Sequence, residues 1–263
     1  MKRSLRTLTV SCLWFTAACP GIGAMSMQIR EGRPVVDGVY LNGQGPYRFL
    51  IDTGCSLNHL DKRVAEKIGL KETFHTTLTS STGVTVVSGN SGIEVTLDSA
   101  RADNQTFLFA GLDRVQKCWP DVEGILGQEF LARFDYMLDM HAKKLEFGPR
   151  EICAHAIRTA YRLDHGRPVV STSLGWLVLD SGSARLIRFG LEATKKTLEL
   201  RTVTGTAQLG TVASVLRIAD YTFWRGDAVA IPHPAESGID GLLPVSPFRS
   251  VYVSNSEGYI IFE

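Results

Sequence analysis

The feature that most restricts this chain is that it repeats itself. Gly32-Arg33-Pro34-Val35-Val36 recurs unchanged as Gly166-Arg167-Pro168-Val169-Val170. Each copy leads into an apolar run ending in an acid, a small hydroxyl residue and glycine. These runs are Phe49-Leu50-Ile51-Asp52-Thr53-Gly54 and Leu177-Val178-Leu179-Asp180-Ser181-Gly182. Each half then reaches an apolar pair bracketed by Gly or Pro, Gly124-Ile125-Leu126-Gly127 and Gly241-Leu242-Leu243-Pro244, and closes on a strand-like tail ending at Phe147 or Phe262. A lone Asp-[Ser/Thr]-Gly carries little weight, because roughly one chain in ten of this size holds one by chance. Two copies among three landmarks in the same order require a structural unit built twice. The plainer alternative is a duplicated β structure whose Asp-x-Gly triplets are only turns, which both residues favour.

Strand patterns dominate. Val39 to Leu41, a turn-rich Asn42-Gly43-Gln44-Gly45-Pro46 and Tyr47 to Ile51 predict a hairpin. Thr76 to Val87 suits a second hairpin around Thr82-Gly83, and Thr202 to Val212 a similar one around Thr204 and Gly205. Helix is sparse. Leu60, Val64 and Ile68 recur at four-residue steps, with Asn58 placed to cap and Gly69 to stop. Gln128 to Phe134 and Ala184 to Lys196 offer two more short helices. The expected class is therefore all-β. The two halves are expected to divide the chain as 25–150 and 151–263, with the boundary near Pro149 to Asp164, where neither set of landmarks extends.

Residues 1–24 read as an address. Lys2, Arg3 and Arg6 form a basic start, Leu8 to Cys19 is apolar but short for a permanent span, and Ile22-Gly23-Ala24 suits cleavage of a signal peptide. The alternatives are a retained N-terminal anchor and lipidation at Cys19, where Thr16 replaces the Leu usual in lipoprotein signals. The expected location is exported: periplasmic or secreted, lipid-anchored in the Cys19 case. The whole chain carries a net charge of +1, and the part beyond residue 24 carries 25 basic and 27 acidic residues. No basic block remains, which argues against nucleic-acid binding. Beyond Ala24 lie Cys55, Cys118 and Cys153, an odd number that disfavours a disulfide framework while leaving one pair such as Cys118–Cys153 open. There is no Cys-x2-Cys, and the histidines show no ligand spacing, so neither metal nor cofactor is expected.

If the halves pack about a two-fold axis, Asp52 and Asp180 meet. Two carboxylates a few ångströms apart cannot both ionise easily and hold one proton between them. The ionised member can then take a proton from water while the protonated one bonds a carbonyl oxygen. Gly54 and Gly182 allow a sharp turn beside the carboxylates. Thr53 and Ser181 supply hydroxyls able to tie the two loops together.

These motifs resemble the aspartic peptidase superfamily of pepsins and retropepsins, and the Asn42-Gly43 hairpin looks like that of the bacterial retropepsin-like members. The resemblance runs from about residue 32 to 263 as two copies. It implies two pseudo-symmetric barrel-like lobes, a cleft between them and hairpin flaps, with Thr82 and Gly83, and Thr204 and Gly205, as flap candidates. It implies Asp52 and Asp180 as catalytic residues, supported by Thr53, Gly54, Cys55, Ser181, Gly182 and Ser183. This chain departs from the pattern at Pro244, which stands where the first half has Gly127, and neither flap candidate contains Tyr. It departs again at Cys55, where pepsins carry Ser or Thr and where Ser183 fits in the second half. A thiol is a poor donor, so the expectation is activity at milder pH than a pepsin's.

The expected partner is a peptide or protein substrate, bound by a monomer. The membrane enters only if Cys19 is lipidated or the N-terminal segment is retained. The main rival is a catalytically silent peptide-binding or pairing module on the same fold. A cysteine peptidase built on Cys55 with a histidine and a two-carboxylate glycosidase are weaker rivals. His59 is expected at the surface, Trp119 and Trp176 near the interface of the halves, and Arg185, Arg188, Lys195 and Lys196 on a solvated face.

Overall fold

The computed structural model describes residues 23–80, 83–110, 112–150, 156–201, 206–232 and 238–263. The first half comprises β1 (Ala24–Arg30), β2 (Arg33–Leu41), β3 (Gln44–Ile51), β4 (Asn58–Asp61), α1 (Lys62–Lys67), β5 (Phe74–Ser80), β6 (Gly83–Leu97), β7 (Ala100–Ala110), α2 (Asp113–Gln116), β8 (Gly124–Leu126), α3 (Gln128–Leu131), β9 (Tyr136–Asp139) and β10 (Lys144–Phe147). The second half has β11 (Ile157–Asp164), β12 (Arg167–Thr172), β13 (Gly175–Leu179), β14 (Ile187–Phe189), β15 (Lys195–Arg201), β16 (Thr206–Ile218), β17 (Tyr221–Ile231), β18 (Gly241–Leu243), β19 (Ser250–Ser254) and β20 (Tyr259–Phe262).

The two halves pair their strands in the same pattern. In the first half β3 lies parallel to β8, with Ile51 beside Leu126, and β8 runs antiparallel to β4, which is parallel to β7. In the second half β13 lies parallel to β18, with Leu179 beside Leu243. There β18 runs antiparallel to β14, which is parallel to β17. A central strand covered on both faces must be apolar without alternation, which is why Phe49-Leu50-Ile51 and Leu177-Val178-Leu179 are unbroken runs. Phe49 and Ile51 enter the main core, whereas Leu50 points the other way, into a cluster with Val35, Leu112, Trp119, Val122 and Ile125. Leu177 and Leu179 likewise enter the main core, and Val178 packs with Val169 and Ile239.

A six-stranded antiparallel sheet joins the halves in the order β1-β10-β9-β19-β20-β11. At its centre Leu138 faces Val251 and Met137 faces Tyr252. Its outer strands are shared elements. Ala24 to Ser26 pair with β10 while Met27 to Arg30 pair with β2, and Ile157 to Ala160 pair with β20 while Tyr161 to Asp164 pair with β12. The repeat thus extends into Ile157–Asp164, where no sequence landmark marked it. The turn after β19 is fastened to the first half by Asp135, which accepts from Ser256 N at 2.8 Å and Ser256 Oγ at 2.6 Å.

The β2–β3 hairpin has the expected two-residue turn, with Asn42 at φ +49° and Gly43 at +75°, the conformation that matches strand twist. Three expectations are corrected. Asn58 does not cap a helix; it lies buried in β4, and α1 begins at Lys62 with Asp61 as its cap. The Leu60/Val64/Ile68 spacing runs across a strand-to-helix junction, so its period is accidental. Ala184 to Lys196 forms no helix, because Ile187–Phe189 is needed as a strand beside β18. Trp176, expected near the interface of the halves, is 40% exposed beneath the Arg162 guanidinium, whereas Trp119 is buried beneath Arg33, which reaches Gly182 of the second half.

Candidate active site

Asp52 and Asp180 leave the ends of β3 and β13 in the same way. Asp52 N donates to Leu126 O at 2.9 Å and Asp180 N to Leu243 O at 2.8 Å, so each acid continues the parallel pairing of the strand before it. The two side chains meet and share a hydrogen bond. Behind them the loops interlock. Thr53 Oγ1 donates to Leu179 O at 2.8 Å and accepts from Ser181 N at 2.9 Å. Ser181 Oγ donates to Ile51 O at 2.7 Å and accepts from Thr53 N at 2.9 Å. Both hydroxyl residues are fully buried.

Each glycine lies against the opposite acid. A Cβ on Gly54 would fall 2.7 Å from Asp180 Oδ1, and one on Gly182 would fall 2.6 Å from Asp52 Oδ1. The same closeness gives the Asp52 carboxylate bonds from Gly54 N, at 2.9 Å, and from Gly182 N. Burial pushes both carboxyls above their ordinary range. The two backbone donors and the proton from Asp180 counteract that rise at Asp52, while the neighbouring Asp52 charge drives Asp180 higher still. Both carboxyls are thus held above their ordinary range, so the pair resists losing both protons.

The position after each glycine differs from expectation. Ser183 contributes its backbone N–H to Asp180, and its hydroxyl instead donates to Arg185 O at 2.8 Å. Burial, followed by the charge of Asp52, pushes the Cys55 thiol well above its usual range, and Leu57 N–H donates to its sulfur. The Cys55 carbonyl holds Gln128 N at 2.8 Å, while Gln128 Nε2 reaches Thr53 O at 2.9 Å. Pro244 has a matched explanation. In the first half Gly127 N donates to Asn58 Oδ1 at 3.0 Å. By register, Asn58 corresponds to Leu186. The second half thus loses the donor and the acceptor together.

Of the flap candidates, Gly83 opens β6 and pairs with Ser80 in the β5–β6 hairpin. Thr82, Thr204 and Gly205 lie outside the described residues, although Arg201 and Thr206 pair on either side of the latter two. Cys153 also lies outside them. His59, expected at the surface, is buried in β4 with its Nδ1 unpartnered, and burial lowers its pKa to about 4. Arg188, expected on a solvated face, is half-buried beside β18 with Nε unpartnered, whereas Arg185 is exposed. The side chains of Lys195 and Lys196 are outside the description. A cavity of about 380 Å³ adjoins the Asp180 loop, lined by Ala184, Arg185, Leu186, Leu216, Trp224 and Pro244 among others. Among the described residues no group of His, Cys, Asp and Glu is placed to hold a metal ion, and no helix is long and apolar enough to cross a membrane.

Sequence reasoning missed Arg33 and Gln128 as parts of this site. Arg33 stood in the repeated pentapeptide, a signal for its importance but not its role; Gln128 carried none beyond its place after Gly127.

The fold is similar to that of a solved aspartic proteinase, and part of the first half matches an aspartyl protease family model. Residues 38–130 match the family model described as Aspartyl protease. Among solved structures, the chain is similar to aspartic proteinase from Irpex lacteus, with a TM-score of 0.53 and 12% identity over 91% of this chain and 96% of that one. It is similar also to Basic 7S globulin from soybean, with a TM-score of 0.55 and 10% identity over 91% and 94%. A retropepsin-like aspartic protease from Rickettsia conorii is 21% identical over 48% of this chain and 90% of its own, with a TM-score of 0.37. No curated protein matches the chain. The sequence likeness to aspartyl proteases thus lies in the first half, and the likeness of fold spans both halves.

Proposed function

We propose that this chain is an aspartic endopeptidase in which Asp52 and Asp180 activate water against a peptide carbonyl. The observation that carries the reading is the meeting of these two buried carboxyls from separate halves, each packed against the other half's glycine. As the water oxygen attacks, Asp52 takes its proton and Asp180 gives its own to the carbonyl oxygen. On collapse, the proton on Asp52 passes to the leaving amine, and Asp180 recovers one from the hydroxyl. The pair ends with one proton, as it began, and no covalent intermediate is required. The basic, apolar start of the chain supports an exported, periplasmic or secreted location.

The test is digestion of a mixed peptide library from pH 3 to 8 with wild type, Asp52→Asn and Asp180→Asn. Cleavage by wild type alone, blocked by a statine-type mimic of the tetrahedral intermediate, is the expected result. Peptides retained but uncleaved by wild type at every pH would instead make the chain a binding module.

A further inference from the structure

The two copies of the pentapeptide do not behave alike. Arg33 and Arg167 open β2 and β12 at matched positions, each paired with the last residue of the preceding strand: Arg30 for Arg33, Asp164 for Arg167. That neighbour decides where the guanidinium goes. Asp164 keeps Arg167 on its own turn, through its carboxylate and through its carbonyl, which accepts from Nε at 3.2 Å. Arg30 is itself a cation, engaged with Asp121 at 2.5 Å, and offers Arg33 nothing. Arg33 therefore reaches into the other half, where its Nε donates to Gly182 O at 2.7 Å. The guanidinium lies over Trp119, 5.0 Å from the ring centroid. Its side chain is only 19% exposed, so its charge is weakly screened by solvent.

Gly182 is the residue packed on the Asp52 carboxylate, and its N–H donates to that group. A fixed cation bonded to its carbonyl therefore orients this donor and acts on both acids. The charge of Arg33 favours the ionised form of Asp52 and of Asp180. The other charged or titratable groups around the pair are Glu31, 3.3 Å from Arg33 and exposed, the Cys55 thiol, and Arg167, whose field reaches Cys55.

We propose that Arg33 is a positioning residue for the carboxylate pair, bridging the halves through Gly182 and holding the pair in its singly ionised form, a task its duplicate Arg167 has given up to Asp164. The inference rests on reading Asp52 and Asp180 as a reacting pair, but its test does not need cleavage. Carboxylate titration is followed by difference infrared spectroscopy, with Asp52→Asn and Asp180→Asn identifying the bands of the pair. Arg33→Gln should raise the first ionisation midpoint by about one pH unit, the lower end of the effect of a close opposite charge. Arg33→Lys, which keeps the charge, should restore most of that shift. A folded Arg33→Gln protein with an unmoved midpoint overturns the proposal, as does a Lys variant displaced as far as the Gln variant. Should Arg33→Gln not fold, Glu31→Gln tests the same field from the other side. Removing that anion should lower the midpoint, and a midpoint that stays or rises contradicts the role. A protein that titrates as expected but cleaves nothing would retain this inference while losing the peptidase reading. Cleavage with an Arg33-independent midpoint would do the reverse.

Discussion

Thr53 and Ser181 hold each other from opposite halves of the chain: each hydroxyl accepts from the other residue's backbone N–H and donates to the carbonyl just before the other half's acid. These four bonds are fully buried, so their loss is not repaired by solvent. Thr53→Val should cost roughly 2–4 kcal/mol, because Leu179 O and Ser181 N–H are both left unpaired. Thr53→Ser should cost far less. Urea denaturation of Thr53→Val, Ser181→Ala and the double variant should give a coupling energy of about 0.5–3 kcal/mol; additive losses would mean that the lock is not one unit.

The glycines beside the acids tolerate no side chain. Ala at Gly182 would press on the Asp52 carboxylate and Ala at Gly54 on Asp180. Gly182→Ala should fold with near-native circular dichroism and lose at least about a hundredfold in kcat/KM, since small misplacements of reacting groups have that effect. Activity within a fewfold of wild type would contradict the described packing.

His59 links the fold to pH. Its pKa is lowered by burial to about 4, below the ordinary value of 6.5, so the folded state holds it neutral where the unfolded chain would bind a proton. Its contribution is therefore complete above pH 6.5 and lost as pH falls toward 4. The loss is on the order of 3 kcal/mol. Denaturation across that window should show His59→Leu with a flatter dependence on pH than wild type. Parallel slopes would show that His59 is not the source.

At the position matching Cys55, Ser183 gives its hydroxyl to Arg185 O and not to a carboxylate. Cys55→Ser should therefore leave the acid limb of the kcat/KM profile where it is, because its hydroxyl finds the same kind of turn partner. A limb moved to lower pH would show instead that the hydroxyl donates to the ionised carboxylate. In the wild type, burial and the nearby anion keep the thiol protonated. Alkylation of Cys55 by iodoacetamide at pH 8 should therefore be slow until the protein is unfolded.

The parts of this architecture that were legible in the sequence are those whose signal is local or repeated. Phe49-Leu50-Ile51 and Leu177-Val178-Leu179 announced two central strands because both faces of each are covered, and Asn42-Gly43 announced a turn because both residues accept positive φ. The features that stayed hidden depend on distant partners. Leu186 to Phe189 is too short to distinguish strand from helix until β17 and β18 flank it, and Asn58 resembled a cap because its true partner, Gly127, lies 69 residues away. Arg33 was visible as a repeated residue, but nothing near it indicated that it binds Gly182, 149 residues on, while its duplicate turns back to Asp164.

The central claim, that Asp52 and Asp180 act as one unit, is tested most directly by kcat/KM for wild type, Asp52→Asn, Asp180→Asn and the double variant on one peptide at the wild-type optimum. Each single substitution should remove at least about a thousandfold of the activity, and the double should be no worse than either single, as for groups that function only together. A single variant that keeps substantial activity, or losses that multiply in the double, would contradict a shared-proton pair.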